Sequence, residues 1–177
     1  MKNIFFKTNA QKILRLLLEH PEELLLPSEI KKETKISRAG IHSALQELFK
    51  KGLIQRKQKG RAYIYQVQSE LPALKQIKVL DSIMKLQPLV KKLNFSIEKI
   101  ILFGSCSRGE NIKESDIDLL IITHDKMAVK EKLDQFTKFY LKPIIKTPIE
   151  FMALEKKDPA FYTEINRGII LFEKNQE

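Results

Sequence analysis

The chain has 177 residues, 43% hydrophobic and 31% charged, with six glycines and seven prolines, a composition that excludes a disordered or collagen-like polymer and fits one domain or two small ones. Its formal net charge of +10 makes a polyanion such as nucleic acid a natural partner. The single cysteine, Cys106, excludes an intramolecular disulfide, and with the scattered His20, His42 and His124 it does not make a four-ligand zinc site. The opening MKNIFFKTNAQK lacks a long apolar core and a small-residue cleavage site, and no apolar run reaches membrane-spanning length. The expectation is a soluble protein of the reducing cytoplasm with no membrane partner.

The charge is unevenly spread. Residues 1–70 hold 14 Lys and Arg against 7 Asp and Glu, a net of +7, which leaves +3 for the rest. This basic part reads as three helices and a hairpin. Ile13, Leu16 and Leu17 recur at helical spacing after Thr8 and Asn9; PSEIKKET makes a short second helix opened by Pro27; Ser37 caps a third, with Ile41, Leu45, Leu48 and Phe49 as its apolar stripe, stopped at Gly52. LIQRKQKGRAYIYQVQ then gives a strand, a basic turn at Gly60 and a second strand with alternating Tyr63, Tyr65 and Val67. The stretch LLLPSEIKKETKISRAGIHSALQELFKKGLIQRKQKGRAYIYQV resembles a winged helix-turn-helix throughout its length. The resemblance implies that the third helix enters the major groove, with Arg38, Ala39, His42, Ser43 and Gln46 toward the bases. Lys57, Lys59 and Arg61 on the hairpin would meet phosphates. Winged helices also serve as protein-docking modules, and the basic face by itself fits a solvated surface on such a module.

From Leu71 a connecting helix is expected, with Leu74, Ile77, Leu80 and Met84 on one face, until Pro88 removes a backbone donor and interrupts it. PLVKKLN then reads as the first helix of a second domain. A helix between two small domains commonly pairs with its copy in a homodimer, though its stripe also fits packing within the chain.

KIILFG is a continuous apolar strand ending at Gly104, where the backbone can approach a ligand closely, and Ser105 adds a hydroxyl donor. SCSRG opens a helix whose free N–H groups favour a phosphate, and Arg108 lies in the same turn. In SDIDLLIIT, Asp116 and Asp118 are two apart on a strand and project from one face. Two carboxylates in a partly dry site repel unless a proton or a hard cation resolves the repulsion. Magnesium suits, because it takes carboxylate and phosphate oxygens. Cys106, beside Ser105, reads either as a small residue that fits or as a thiol acidified at a helix start. A P-loop is excluded, since no Gly-Lys-Ser or Gly-Lys-Thr follows the glycines.

GSCSRGENIKESDID, with Gly104-Ser105, ten intervening residues and Asp-x-Asp, resembles the polymerase-beta-like minimal nucleotidyltransferases over residues 88–174, including the closing DPAFYTEINRGIILFE. The fold this implies is an α/β domain built on a mixed sheet, preceded by the winged helix-turn-helix domain. The expected boundaries are 1–70 for the winged helix, 71–87 for the connecting helix and 88–177 for the nucleotidyltransferase domain. Such enzymes need a third carboxylate on a neighbouring strand, and alternation in KTPIEFMALE singles out Glu150, although the family more often has aspartate there. By this resemblance Gly104, Ser105 and Arg108 hold the triphosphate of a nucleotide such as ATP. Asp116, Asp118 and Glu150 bind Mg2+ or Mn2+, Glu150 helps deprotonate the acceptor hydroxyl, and pyrophosphate leaves.

About 90 residues leave little for an acceptor-binding domain. Minimal nucleotidyltransferases often resemble the antitoxin half of a two-gene module whose helical partner protein is adenylylated on a tyrosine, and a winged helix on double-stranded DNA suits operator binding. Three readings compete at this point: an active nucleotidyltransferase with a DNA-binding module, a DNA-binding transcriptional regulator whose second domain only binds nucleotide or a partner protein, and a protein-binding scaffold.

Overall fold

In the computed structural model, which describes residues 5–93, 97–136 and 140–174, the chain divides into two compact units, 1–76 and 77–177. In the first, α1 (Asn9–Glu19) begins where Thr8 Oγ1 accepts from the Gln11 amide while the Gln11 side chain accepts from the Thr8 amide, a reciprocal cap that satisfies two orphan donors. Next, α2 (Pro27–Thr34) opens on Pro27, and α3 (Arg38–Lys50) is capped by Ser37 Oγ. Ile13, Leu17, Ile30, Ile41 and Leu45 are at most 1% exposed, so the three apolar stripes close on one core. Antiparallel β1 (Ile54–Lys59) and β2 (Ala62–Val67) turn at Gly60, whose φ of +62° suits glycine. Leu25 adds an antiparallel bridge to Tyr65 that its surroundings in the sequence did not signal. Phe49, expected in the apolar stripe of α3, is instead exposed, with the Arg56 guanidinium 4.4 Å from its ring centre.

The expected break at Pro88 does not occur. Helix α4 (Pro72–Leu93) runs straight through that residue. A proline inside a helix costs about 3 kcal/mol, whereas burying one leucine or valine side chain contributes roughly 1.5–3 kcal/mol. Leu86, Leu89, Val90 and Leu93, all at most 7% exposed, therefore outweigh the missing donor, and PLVKKL is the last part of one helix rather than the first of another.

The second unit is built on a sheet of order β5-β4-β3-β6, with β3 (Lys99–Phe103) antiparallel to both β4 (Ile117–Ile122) and β6 (Ile169–Glu173), and β4 parallel to β5 (Leu141–Lys146). This mixed sheet matches the expected architecture. Both faces are covered, which is why β3 and β4 read as continuous apolar runs. One face carries Ile100, Leu102, Leu119 and Ile121 against Leu86, Leu89 and Leu93 of α4 and Val129 and Leu133 of α6 (Lys126–Asp134). The other carries Ile101, Phe103, Leu120 and Ile122 against Leu154 of α7 (Pro148–Lys157) and Ile165 of α8 (Pro159–Asn166). Helix α6 ends at Asp134. Phe136 still packs on the core, Tyr140 is exposed just ahead of β5, and residues 137–139 lie outside those described.

The segment KTPIEFMALE, expected as a strand, is the last residue of β5, the cap Thr147 and then α7. Thr147 Oγ1 accepts from the Glu150 amide, the Glu150 carboxylate accepts from the Thr147 amide at 2.7 Å, and Pro148 sits in the first turn. Thr-Pro-x-Glu is a capping box with its proline where the missing donor costs nothing, and this local signal overrides a weak alternation.

Candidate functional site

Strand β3 ends at Phe103, and the backbone turns at once into the one-turn helix α5 (Gly104–Arg108). Gly104 has φ +69°, and a Cβ placed on it would lie 2.3 Å from Oδ2 of Asp118. Glycine is thus required twice here: for the left-handed backbone, and to let the Asp118 carboxylate lie over the turn. The closeness follows from the sheet, because Phe103 and Asp118 are cross-strand partners. Ser107 Oγ donates to the Gly104 carbonyl at 2.8 Å, and Ser115 Oγ accepts from the Ile112 amide at 2.8 Å, which steadies the loop that returns to β4.

Ser105, Ile112, Glu114, Ser115, Asp116, Asp118 and Lys142 line one open pocket of ≈ 370 Å³. The two expected aspartates and the expected serine therefore meet, with Gly104 directly beneath Asp118. Burial pushes the Asp118 carboxyl above its ordinary range; Lys142 opposes this shift, while Asp116 and Glu164 add to it. A larger cavity, ≈ 630 Å³, lies at the far end of the sheet among Glu98, Lys99, Ile122, His124 and Phe151, away from the aspartate pair.

Two expected contributions, those of Glu150 and Arg108, differ, and of the two readings of Cys106 the small residue that fits is the one found. Glu150 belongs to the start of α7, where it is solvent-exposed and its Oε2 lies 2.5 Å from Lys126 Nζ. Lys126 and the Thr147 amide hold its carboxyl at about 2. It completes a helix cap, and the third carboxylate assigned to it is not on a neighbouring strand. Arg108 turns to Glu110, at 2.8 Å, and to Glu164, at 3.5 Å, so it stands beside the pocket rather than lining it. Cys106 is 2% exposed and burial raises its pKa, the opposite of an acidified thiol; its Sγ instead contacts the Asp116 carbonyl at 3.6 Å.

Lys142 is the residue sequence reasoning missed. In the parallel pairing of β4 with β5 it is the register partner of Asp118, and its ammonium lies 2.5 Å from Asp116 Oδ2, which raises its pKa. Nothing local in FYLKPIIK announces this; the contact exists only because a crossover of 18 residues, 123–140, sets two strands in register. The metal arrangement can be tested on these groups. Two adjacent carboxylates suit one hard divalent ion sharing phosphate oxygens. They do not suit a pair of ions, since β5 brings no acid, and no three His, Cys, Asp or Glu among the described residues converge on one point.

In the first unit, Arg38, His42, Ser43 and Gln46 all lie on the exposed side of α3, with His42 Nε2 and Gln46 Nε2 3.0 Å apart, and Lys57, Lys59 and Arg61 are exposed on the hairpin. Arg56, not singled out from the sequence, lies between the rings of Phe49 and Tyr63, 4.4 and 4.6 Å from their centres, a stacking that fixes the direction of its guanidinium.

A glycine-serine turn facing an Asp-x-Asp strand on a mixed, helix-covered sheet defines a nucleotidyltransferase-type domain, and a three-helix unit with a basic hairpin defines a winged helix. Residues 84–177, just over half of the chain, match the family described as polymerase beta, nucleotidyltransferase, and the chain belongs to that family. Residues 12–61 match the MarR family. A candidate protein adenylyltransferase of Methanocaldococcus jannaschii is 42% identical over 40 residues, which make up 23% of this chain and 40% of that protein. The chain thus spans less than half the length of that curated relative. A crystal structure of a candidate nucleotidyltransferase from Sulfolobus solfataricus aligns with 55% of this chain and 88% of its own at 16% identity, with a TM-score of 0.35. Members of the polymerase beta family typically use divalent metals. No helix among the described residues is long and apolar enough to cross a membrane.

Proposed function

We propose that this protein transfers a nucleoside monophosphate, AMP from ATP, to a hydroxyl of a partner protein, and that its winged helix binds double-stranded DNA, the arrangement of an antitoxin-type regulator acting in the cytoplasm. The observation that carries this reading is the single pocket lined by Ser105, Asp116 and Asp118. Asp116 and Asp118 hold one Mg2+ or Mn2+, which when bound polarises the phosphate oxygens and neutralises their developing charge. The Gly104-Ser105 turn lets backbone and hydroxyl approach the polyphosphate, and Arg108, moving off Glu110, adds a positive charge at its edge. The acceptor oxygen forms its bond to the α-phosphorus as the bond to pyrophosphate breaks. With Glu150 tied to Lys126, the hydroxyl proton passes to Glu114, the pocket-lining carboxylate outside the aspartate pair. The helical partner supplies the acceptor because the second unit is too small to enclose one.

On the DNA side, the exposed row Arg38, His42, Ser43 and Gln46 reads base edges while Lys57, Lys59 and Arg61 meet phosphates. A second reading is favoured by one observation, the absence of an acid on β5: a winged-helix regulator whose second domain binds nucleotide without turning it over. Both are tested by label transfer from radiolabelled ATP to proteins that co-purify with the chain, run beside gel-shift titrations. Asp118→Asn should cut transfer by orders of magnitude and leave DNA affinity intact, and Arg61→Ala should do the reverse. Nucleotide binding without any transfer would establish the regulator; transfer that persists in Asp118→Asn would overturn the aspartate assignment.

A further inference from the structure

The family resemblance calls for a third carboxylate on the strand beside Asp-x-Asp, and the structure puts a lysine there. Register partners on adjacent strands share a face of the sheet and lie about 5 Å apart, so Lys142 on β5 stands where a residue could join Asp118 in holding metal. Its ammonium is instead 2.5 Å from Asp116 Oδ2, within the space a cation bound by Asp116 would take. The side chain is 65% exposed, so a long, flexible stem is free to re-aim its charge.

The formal charges decide what this exchange does. Three carboxylates with two divalent ions present a net charge of +1 to a polyphosphate. Two carboxylates, one ammonium and one divalent ion present the same +1. Replacing an acid by a lysine therefore preserves the electrostatic balance only if one ion is also lost.

We propose that Lys142 stands in for the second divalent ion, as a tethered cation that pairs with Asp116 in the free protein and with the polyphosphate of a bound nucleoside triphosphate, so that the site takes one metal ion per nucleotide. This rests on the reading of the pocket as a nucleotide site. A lysine is a compact point charge on a flexible stem, which suits it to a phosphate oxygen, and the pocket already joins Lys142 to Ser105 across Asp116 and Asp118.

The test counts ions rather than turnover. The full chain is titrated with Mn2+ at saturating α,β-methylene-ATP, and protein-bound Mn2+ is measured by electron paramagnetic resonance, with circular dichroism confirming the fold of each variant. The parent should bind one Mn2+ per bound nucleotide, and Lys142→Asp, which restores a carboxylate on β5, should bind two. Lys142→Gln should still bind one ion but hold the nucleotide about ten- to a hundredfold more weakly, as expected for the loss of a charge-assisted contact, and Lys142→Arg should recover most of that loss. Two ions in the parent, one ion in Lys142→Asp with nucleotide bound, or unchanged affinity in Lys142→Gln would each overturn the role of Lys142 while leaving the nucleotide site standing. Absence of nucleotide binding by the parent at millimolar concentration would instead remove the nucleotide reading itself, and this proposal with it.

Discussion

Gly104→Ala probes the link between the turn after β3 and the Asp118 carboxylate. An alanine at φ +69° is strained by about 1–2 kcal/mol. Its Cβ would also lie 2.3 Å from Asp118 Oδ2 and 3.1 Å from Cγ, far inside van der Waals contact. The carboxylate is the end of a side chain and can swing away, at about 0.5–1.5 kcal/mol for an off-rotamer position. Together these give a loss of roughly 2–3 kcal/mol, well short of the 5–15 kcal/mol that typically holds a domain together, so the unit should stay folded with its metal ligand displaced. In an Asp118→Ala background the nearest remaining Asp118 atom is Cβ at 3.4 Å, an ordinary contact. There the same glycine change should cost only the backbone strain. Amide hydrogen exchange on peptides covering residues 99–122 reads the local opening free energy within the intact chain, and Mn2+ titration reads the ligand. The expected result is a coupling of about 1 kcal/mol between positions 104 and 118, with metal binding already abolished in the Gly104→Ala single variant, which keeps the Asp118 carboxylate. Equal costs in both backgrounds, or parent-like Mn2+ binding by Gly104→Ala, would refute the argument that glycine is needed there to admit the carboxylate.

Pro88→Ala, at an exposed position inside α4, should raise the stability of the second unit by about 2 kcal/mol by restoring a helix hydrogen-bond donor; a lower melting temperature would show that the proline's shape, not its context, is what α4 tolerates. Glu150 has a folded-state pKa held at about 2, against an ordinary 4.5, so its contribution to stability is complete above 4.5 and disappears as the pH falls through about 2. Glu150→Gln should accordingly melt below the parent at neutral pH and converge with it near pH 2, and a constant gap across that range would refute the pairing with Lys126. Lys59→Ala should flatten the salt dependence of DNA binding by about one unit in log–log slope, and an unchanged slope in gel-shift titrations would remove the hairpin tip from the interface.

What the sequence determined by itself was local or came from a pattern with strict spacing. Thr8, Ser37 and Pro27 mark the helix starts of the winged helix, the first two because caps are short-range hydrogen bonds between residues three apart, and Pro27 because its fixed φ and missing donor suit the first helical position. Gly104-Ser105 and Asp116-x-Asp118 identified the pocket, since a left-handed turn and two side chains on one face of a strand are both one-dimensional signals. The sequence failed where tertiary packing or a competing local signal decided. Alternation in KTPIEFMALE was outweighed by a capping box, so Glu150 became a cap instead of a ligand. The proline at 88 was absorbed because four apolar side chains of α4 gain more from the core than one missing hydrogen bond loses. Lys142 was out of reach altogether: its place beside Asp118 and Asp116 depends on the register of two parallel strands joined by a crossover, and register is fixed by how both faces of the sheet pack. The charge that bears most directly on how many metal ions this site can hold was therefore set by the fold.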